Sequence, residues 1–384
     1  MNNAQRSYDY VSPTAPPYSP TSRLSMSSAA DDRDANVNPE RIASLTRELA
    51  AKMHETVDEI NDVNRTTRLL AINAKIEAAR AGAVGASFSV VAGEIGALAE
   101  RTTVSTKAMM AETQIAIVEL EKISETLSTK VRGTRLSDLA LTNIDLIDRN
   151  LYERSCDVRW WATDSSAVDA CRDQSRDAYR YASERFRVIL SSYTVYYDLV
   201  LCDMDGNVVA NGRPDLFRSQ GMNCAHAEWF QSALKTRSGE EFGFESVHES
   251  PLVNGKRILA YSCCVRDTSG GGARPIGVLG ILFNWDALAQ TIVHATPLPV
   301  SEKAATRVCI VDSSGLILAD TAGRMLVDTI NFPHRADIFS EPKTAITVTI
   351  AGKPHCIAHA KSPGYETYAT GWHSVVIQAL GSGG

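Results

Sequence analysis

The chain has 384 residues, 44% of them hydrophobic and 22% charged, which is long enough for two or three domains with sizeable cores. Its net charge of −6 argues against a general nucleic-acid binder, which carries a basic face. The eight cysteines are scattered without a CxxC pair, so neither a zinc knuckle nor a disulfide framework is indicated, and a reducing compartment is expected.

Residues 1–37 are rich in Ser, Pro, Asn, Ala and Asp, include SPTAPPYSPTS and have no apolar period, so they read as a disordered tail. Asn38-Pro39-Glu40 then starts a helix, with a capping amide, a proline at the first helical position and a carboxylate at the positive end. Apolar or small residues at Ile42, Leu45, Leu49, Met53, Val57, Ile60, Asn64, Thr67, Leu70 and Ala74 predict one coiled-coil stripe. A small-residue cluster at 81–86 marks a helix–helix turn. Phe88, Val91, Ile95, Leu98, Thr102, Ser105, Met109, Ala116, Leu120, Ile123 and Leu127 predict the returning stripe. The arm from Pro39 to Arg80 would be about 60 Å long. Arg132-Gly133-Thr134-Arg135 reads as a hinge after it. A lone hairpin leaves its seam exposed, so a homodimer closing into a four-helix bundle is expected.

From Leu136 a helix is predicted through Trp160 and Trp161, both expected in a core, and a second from Ala167 to about Ser191. Strands follow at Tyr196–Cys202, Val208–Ala210, Ile258–Val265 and Ile276–Phe283, with a short helix at Glu228–Leu234 and a flexible 269–272 loop. Later strands are predicted at Arg307–Val311, Leu316–Leu318, Ala345–Ile350, His355–His359 and Trp372–Ile377. The strand, Asp-x-x-Gly turn, strand unit occurs twice, at DMDGNVVA and DSSGLILA, so two similar modules in tandem are expected. No apolar run approaches the roughly 20 residues of a membrane helix, Ile276–Phe283 being the longest. The N-terminus lacks a signal-peptide core. A cytoplasmic protein with no membrane span is therefore expected.

The stretch LLAINAKIEAARAGAVGASFSVVAGEIGALAER, residues 69–101, resembles the signalling tip of methyl-accepting chemotaxis proteins. Leu70, Asn73, Glu77, Ala78, Ala79, Arg80, Ala81, Gly82, Gly85, Phe88, Val90, Val91, Ala92, Glu94, Leu98 and Ala99 carry that resemblance. It implies contact with a CheA-type histidine kinase and a CheW-type coupling protein, through Asn73, Glu77, Arg80, Gly82 and Val90. Arg65, Thr66, Thr67 and Arg68 stand where the family carries a Phe and a Gln-Thr-Asn run, and Ala83, Ala86 and Ser87 replace a Glu, an Arg and a Gly. These departures imply an altered partner contact rather than the standard array. No adjacent Glu-Glu or Gln-Glu pair flanked by small residues lies on either arm, so adaptational methylation is not expected.

Residues 136–384 resemble a double Cache sensor, through the two hairpins, the WFQSAL helix and the GYETYATGWHSVV ending. The fold class read from the whole chain is α+β multidomain. It has an antiparallel coiled-coil hairpin over 38–132 and a sensor over 136–384, the latter divided into helices (136–191) and PAS-like antiparallel-sheet modules (192–295 and 300–384). The resemblance implies a small-molecule pocket beneath the short helix. Trp229 and Phe230 form its aromatic pair, Tyr261 lies on the facing strand, and Tyr197, His226 and Arg257 are candidate polar groups. Ala227 and Leu282 stand where amino-acid-binding relatives carry Arg and Asp, so a free α-amino acid is not the expected ligand. Cys224-Ala225-His226 is too sparse for haem or a metal. No catalytic constellation, metal site or cofactor motif is recognised, so no enzyme activity is expected. The function read is a chemoreceptor-like transducer; the alternative is a non-chemotactic dimeric regulator that retains the hairpin.

Overall fold

The computed structural model describes residues 39–269 and 273–380. The expected tail over 1–37 and most of the 269–272 loop lie outside the described residues. The chain divides into two compact units, 1–128 and 129–384.

In the first unit, α1 (Pro39–Arg80) and the opening of α2 (Ala86–Trp161) are joined by a 3-10 turn, Gly82–Gly85. Gly82 takes φ +60°, which a residue without a Cβ adopts freely. A Cβ on Gly85 would lie 2.1 Å from the Ala78 carbonyl oxygen, so only glycine closes this bend. The arms are antiparallel. Arg68 pairs with Glu100 at 2.8 Å, and a Cβ on Gly96 would sit 3.7 Å from that of Ala71.

The buried seam differs from the expected stripe. It includes Val57, Asn64, Ala71 and Ala78 on α1 and Ala92, Ala99 and Thr106 on α2, each a heptad apart, with Thr46 before them on α1 and Ile117 and Ser124 beyond on α2. Leu45, Leu49, Leu70, Phe88, Val91 and Leu98, all placed on the expected stripe, are exposed. The physical reason is that apolar residues occupy two adjacent heptad positions. The small one of each pair turns inward, because small side chains let the helix axes approach. Val63, Leu70, Val91 and Leu98 each precede a seam residue by one. In antiparallel arms the two helices turn in opposite senses, so this one-residue step falls on the same side of both. The hairpin therefore presents one exposed apolar face.

In the second unit, α2 continues without a break. The expected hinge is absent: Gly133 lies inside the helix, where an added Cβ would come 3.0 Å from the Cβ of Ala345. This glycine is a packing notch for a strand, not a joint. After α2, the single helix expected over 167–191 is two, α3 (Ser165–Asp173) and α4 (Arg176–Ser192). Gln174 closes α3 in a left-handed conformation, and the Ser175 hydroxyl caps α4 by accepting from Ala178 N.

The first sheet contains β1 (Tyr196–Cys202), β2 (Val208–Asn211), β3 (Gly243–Ser250), β4 (Lys256–Asp267) and β5 (Arg274–Asn284), with α5 (Glu228–Leu234) between β2 and β3. Two helices, α6 (Trp285–Ala295) and α7 (Val300–Lys303), lead to the second sheet. That sheet contains β6 (Thr306–Val311), β7 (Ile317–Asp320), β8 (Lys343–Ile350), β9 (Lys353–Lys361) and β10 (His373–Ala379), with α8 (Arg335–Ser340) between β7 and β8. Both sheets are antiparallel and share one strand order, β2-β1-β5-β4-β3 and β7-β6-β10-β9-β8. The two Asp-x-x-Gly turns are built alike. Asp203 Oδ1 accepts from Asp205 N and Asn207 N, and Asp312 Oδ1 accepts from Ser314 N and Leu316 N. Gly206 and Gly315 take φ +84° and +94°.

Each sheet has two covered faces. One face of both packs on a shared core with Leu136, Ala140, Ile144, Ile147, Leu151 and Val158 of α2, all fully buried. Complete burial of a large aliphatic side chain contributes about 1.5–3 kcal/mol. Trp161 joins this core, but Trp160 is exposed, because adjacent helical residues point about 100° apart. The opposite faces are covered by α5 and by α8.

The expectation of no membrane-spanning segment is not upheld. The helical stretch Gly82–Trp161 contains a window of mean hydropathy 1.4 and is long and apolar enough, by length and composition, to cross a membrane. Alanines among Val84, Phe88, Val90, Val91, Ile95 and Leu98 raise the mean over 82–99, where Glu94 is the one charge, although no long run of large apolar residues occurs. The expected cytoplasmic placement accordingly finds no support here.

Replacing Gly133 with Leu should destabilise the sensor unit by about 1–3 kcal/mol, because the side chain would be forced against β8. A glycine acting as an exposed hinge would tolerate leucine, so an unchanged melting temperature in calorimetry would refute the packing role.

Candidate functional site

At the hairpin end, Asn73, Glu77, Arg80, Gly82 and Val90 are all exposed. Arg80 donates to Glu77 at 2.7 Å, one helical turn away. An exposed pair of this kind adds only a few tenths of a kcal/mol to stability, so its chemistry is directed to a surface. Around it lie Ile72, Ile76, Val84 and Phe88, the last 74% exposed. A charged fork set among exposed apolar side chains is suited to docking a protein rather than to reaction.

The six sensor residues named from sequence do not line one pocket. Trp229 and Phe230 are core residues, about 1% exposed, packed edge-to-face at 6.0 Å. A Cβ on Gly280 of β5 would touch the Trp229 ring at 2.9 Å, and Ser262 Oγ donates to the Trp229 carbonyl oxygen. Trp229 thus fills the space between α5 and the sheet. Tyr261 lies on the other face of β4 and is corrected from a pocket wall to a core residue. Its hydroxyl meets that of Tyr368 at 2.5 Å, joining the two modules, and burial raises its pKa well above the usual tyrosine range. Strand alternation explains the difference, since Ala260 and Cys264 face α5 while Leu259, Tyr261 and Cys263 face the shared core.

The remaining three stand apart from Trp229. His226 is exposed on the segment before α5. Arg257 is held by Asp286 through two hydrogen bonds of 3.0 and 2.8 Å, and this pairing raises its pKa. Tyr197 is half-buried, edge-on to Phe217, with the Lys256 ammonium 5.0 Å from its ring centroid. The neighbouring Cys224 thiol and burial raise the pKa of Cys202 far above the usual range, and the Cys202 thiol lowers that of Cys224. Among the described residues, no three His, Cys, Asp or Glu are gathered as metal ligands.

Sequence reasoning missed Asp148 and a histidine pair. Asp148, buried on α2, accepts from Ser362 Oγ, Gly364 N, Thr370 N and Thr370 Oγ1, and so fastens the β9–β10 loop to the helix. An aspartate inside an otherwise apolar helical stripe is the signal that marks it. His359 and His373, both buried, meet Nε2 to Nδ1 at 2.7 Å. The Phe339 ring of α8 stacks on both, with centroids 5.1 and 4.2 Å away, and His359 Nδ1 has no hydrogen-bond partner among the described residues. Burial lowers the pKa of His359 to about 3 and that of His373 to about 4, with the Lys361 ammonium adding to both.

The signalling domain of methyl-accepting chemotaxis proteins (MCP) is matched by residues 21–148 and the Cache domain by residues 100–380. Methyl-accepting chemotaxis protein McpC of Bacillus subtilis is 33% identical over 108 residues, 27% of this chain and 16% of McpC. Protein PilJ of Pseudomonas aeruginosa is 33% identical over 124 residues, 30% of this chain and 17% of PilJ. This chain thus spans less than a fifth of either relative. Among solved structures, the ligand-binding domain of the Pseudomonas fluorescens chemoreceptor CtaA, in complex with L-serine, is 14% identical. The alignment covers 65% of this chain and 98% of that one, with a TM-score of 0.47.

Both imidazoles are neutral in the fold, whereas the unfolded chain takes up their protons below about pH 6.5. The stability they allow is therefore fully present above that value and is lost as pH falls towards the two folded-state values. The melting temperature should drop from about pH 7 to about pH 5.5, a window above the titration of most carboxylates. The drop should be smaller in His373→Asn, and an equal drop in the variant would discard the pair as its source.

Proposed function

Because this chain belongs to the Cache domain family and carries the MCP signalling domain, we propose that it senses a small molecule in its C-terminal half and signals through the hairpin tip to a CheA-type kinase and a CheW-type coupling protein. The observation that carries this reading is the continuity of α2. One helix holds both the motif residues Phe88–Ala99 and the sensor-core residues Leu136–Val158. A ligand with different affinities for two arrangements of the sensor would bias that helix, and the bias cannot exceed the affinity difference. The surface for such a ligand in the first module is the end where Tyr197, Lys256, Arg257 and Asp286 meet. This reading places the chain in the cytosol, with the apolar stretch 82–99 as a docking tip rather than a membrane span. Glu94 within it and its match to the signalling motif support that assignment, and recovery of the chain in washed membranes would refute it.

Dimerisation through the exposed face of Val63, Leu70, Val91 and Leu98 completes the reading, since four helices cover what two leave bare. Light scattering should give a dimer mass for the full chain and a monomer mass for the Leu70→Glu, Leu98→Glu double variant. A monomeric wild type would end the proposal.

Glu77→Ala with Arg80→Ala should reduce co-purification with a CheA-type kinase at least tenfold while leaving the melting temperature unchanged, the pair being exposed. Undiminished kinase capture would favour the non-chemotactic dimeric regulator.

A further inference from the structure

Strand β2 ends the strand order of the first sheet, and α4 packs beside it. Gly212 sets that approach, since a Cβ there would lie 2.5 Å from Leu190 Cδ1 and 3.0 Å from Phe186 Cβ, both on α4. The chain then turns at Arg213, whose guanidinium donates to the carbonyl oxygens of Leu190, Tyr196 and Tyr197. The buried Asp198 carboxylate accepts from Gly212 N and Arg213 N. These bonds hold the start of the 213–220 loop against α4. A groove of about 580 Å³ remains between α4, β2 and this loop, with Val209 and Pro214 in its lining.

The wall that α4 gives this groove is basic. Arg176, Arg180 and Arg187 line it together with one carboxylate, Glu184, in a chain whose net charge is −6. Steps of four and seven residues keep the three arginines on one helix face. Arg176 makes no ion pair among the described residues. Arg180 pairs with Asp177 and Arg187 with Asp215, each at 3.0 Å, and neither carboxylate lines the groove. Both pairs are exposed and add little to stability. A guanidinium carries five donors, so most remain available for a stronger acceptor.

A buried serine sits among these arginines. Ser183 lines the same groove, three residues after Arg180 and four before Arg187, and is 8% exposed. Its hydroxyl has no hydrogen-bond partner among the described residues, although a helical serine commonly bonds to the carbonyl four residues back. A buried hydroxyl left without a partner costs stability, and a ligand oxygen placed between Arg180 and Arg187 would satisfy it. Guanidinium forks match phosphoryl oxygens two at a time. A groove of this volume suits a small molecule.

We propose that the α4–β2 groove binds a small organic phosphate, with its phosphoryl oxygens accepting from Arg180, Arg187 and Ser183 Oγ and its organic body lying on Tyr179, Val209 and Pro214. Arg176 adds positive charge at the N-terminal end of the same wall. The site shares no lining residue with the surface at Tyr197, Lys256, Arg257 and Asp286, and it stands whether or not the proposed signalling role holds. Occupancy would tie α4 to the 213–220 loop, and through Arg213 to the carbonyl groups of Tyr196 and Tyr197 at the head of β1.

The test is calorimetric titration of the full chain with phenyl phosphate, with phenol and with inorganic phosphate, in a phosphate-free buffer of low ionic strength. Saturable binding of phenyl phosphate is expected, with none for phenol and at least roughly tenfold weaker binding of inorganic phosphate, which lacks the apolar body. Arg180→Gln with Arg187→Gln should weaken phenyl phosphate at least about tenfold at an unchanged melting temperature, both side chains being exposed. Ser183→Ala should weaken it about tenfold, and its melting temperature should not fall, because the hydroxyl removed has no partner among the described residues. A serine with a purely structural role would instead lose stability and keep the affinity. Absence of saturable phenyl phosphate binding, equal binding of phenol or of inorganic phosphate, or an affinity unaltered in either variant would each overturn the proposal.

Discussion

The sensor depends on one helix face. Leu136, Ile144, Ile147 and Leu151 of α2 are fully buried in a core that takes side chains from both sheets, including Leu259 and Tyr261 of the first and Val308 and Ile310 of the second. Neither sheet can cover this face with its own short helix, since α5 and α8 serve the opposite faces. Polar fastenings then fix the register. Asp148 holds the β9–β10 loop to α2, and Trp285 Nε1 donates to Leu318 O at 2.7 Å across the modules. Buried donors and acceptors that lose such partners cost about 1–3 kcal/mol each, so the modules and the helix are confined to few arrangements. Packing of this kind changes between discrete arrangements rather than by gradual bending.

The hairpin is built on an opposite principle. Its seam is mainly alanine, asparagine and threonine, which lets the axes come close but removes little apolar area from water. Asn61 Oδ1 and Asn64 Nδ2 are buried there without hydrogen-bond partners among the described residues, a cost that offsets part of the gain. The larger apolar side chains, Leu70, Phe88, Val91 and Leu98 among them, remain outside. A two-helix arm stabilised so thinly has its main apolar resource still unspent, which is the condition for a surface whose stability is completed by association.

What could be read from sequence follows from the range of the interactions involved. The glycine bend and its flanking motif are local, dense in small residues and therefore legible. The two Asp-x-x-Gly hairpins are also local, and they located β1, β2, β6 and β7 within a few residues. The edge strand β3 escaped because Glu245, His248 and Glu249 break its apolar alternation. The seam was misassigned because two neighbouring heptad positions are both apolar or small, and pattern alone cannot say which turns inward. Tyr261 was put on the wrong face for a related reason: β4 is buried on both sides from Ile258 to Val265, so no polar residue marks a direction. Gly133 and Asp148 act through partners some two hundred residues away, at Ala345 and at 362–370, and nothing near them in sequence announces it.

The candidate ligand surface was the least legible part, and the reason lies in the difference between the two sheets. Equal strand order invites the assumption of equal function, and the aromatic pair on α5 makes the first module look like the binding half. The ladders show that this pair is spent on packing. Gly243 and Gly280 remove side chains where α5 and Trp229 press on the sheet, so the aromatic ring fills its own niche. In the second sheet the matching ladder positions carry the side chains of Thr344 and Val375, and the Phe339 ring of α8 lies flat on His359 and His373 instead. Both modules are thus packed under their short helices, but with different side chains at the matching ladder positions, while the strand order stays the same. Here the facing glycine, Gly280, marks the Trp229 ring as a packing residue rather than a pocket wall.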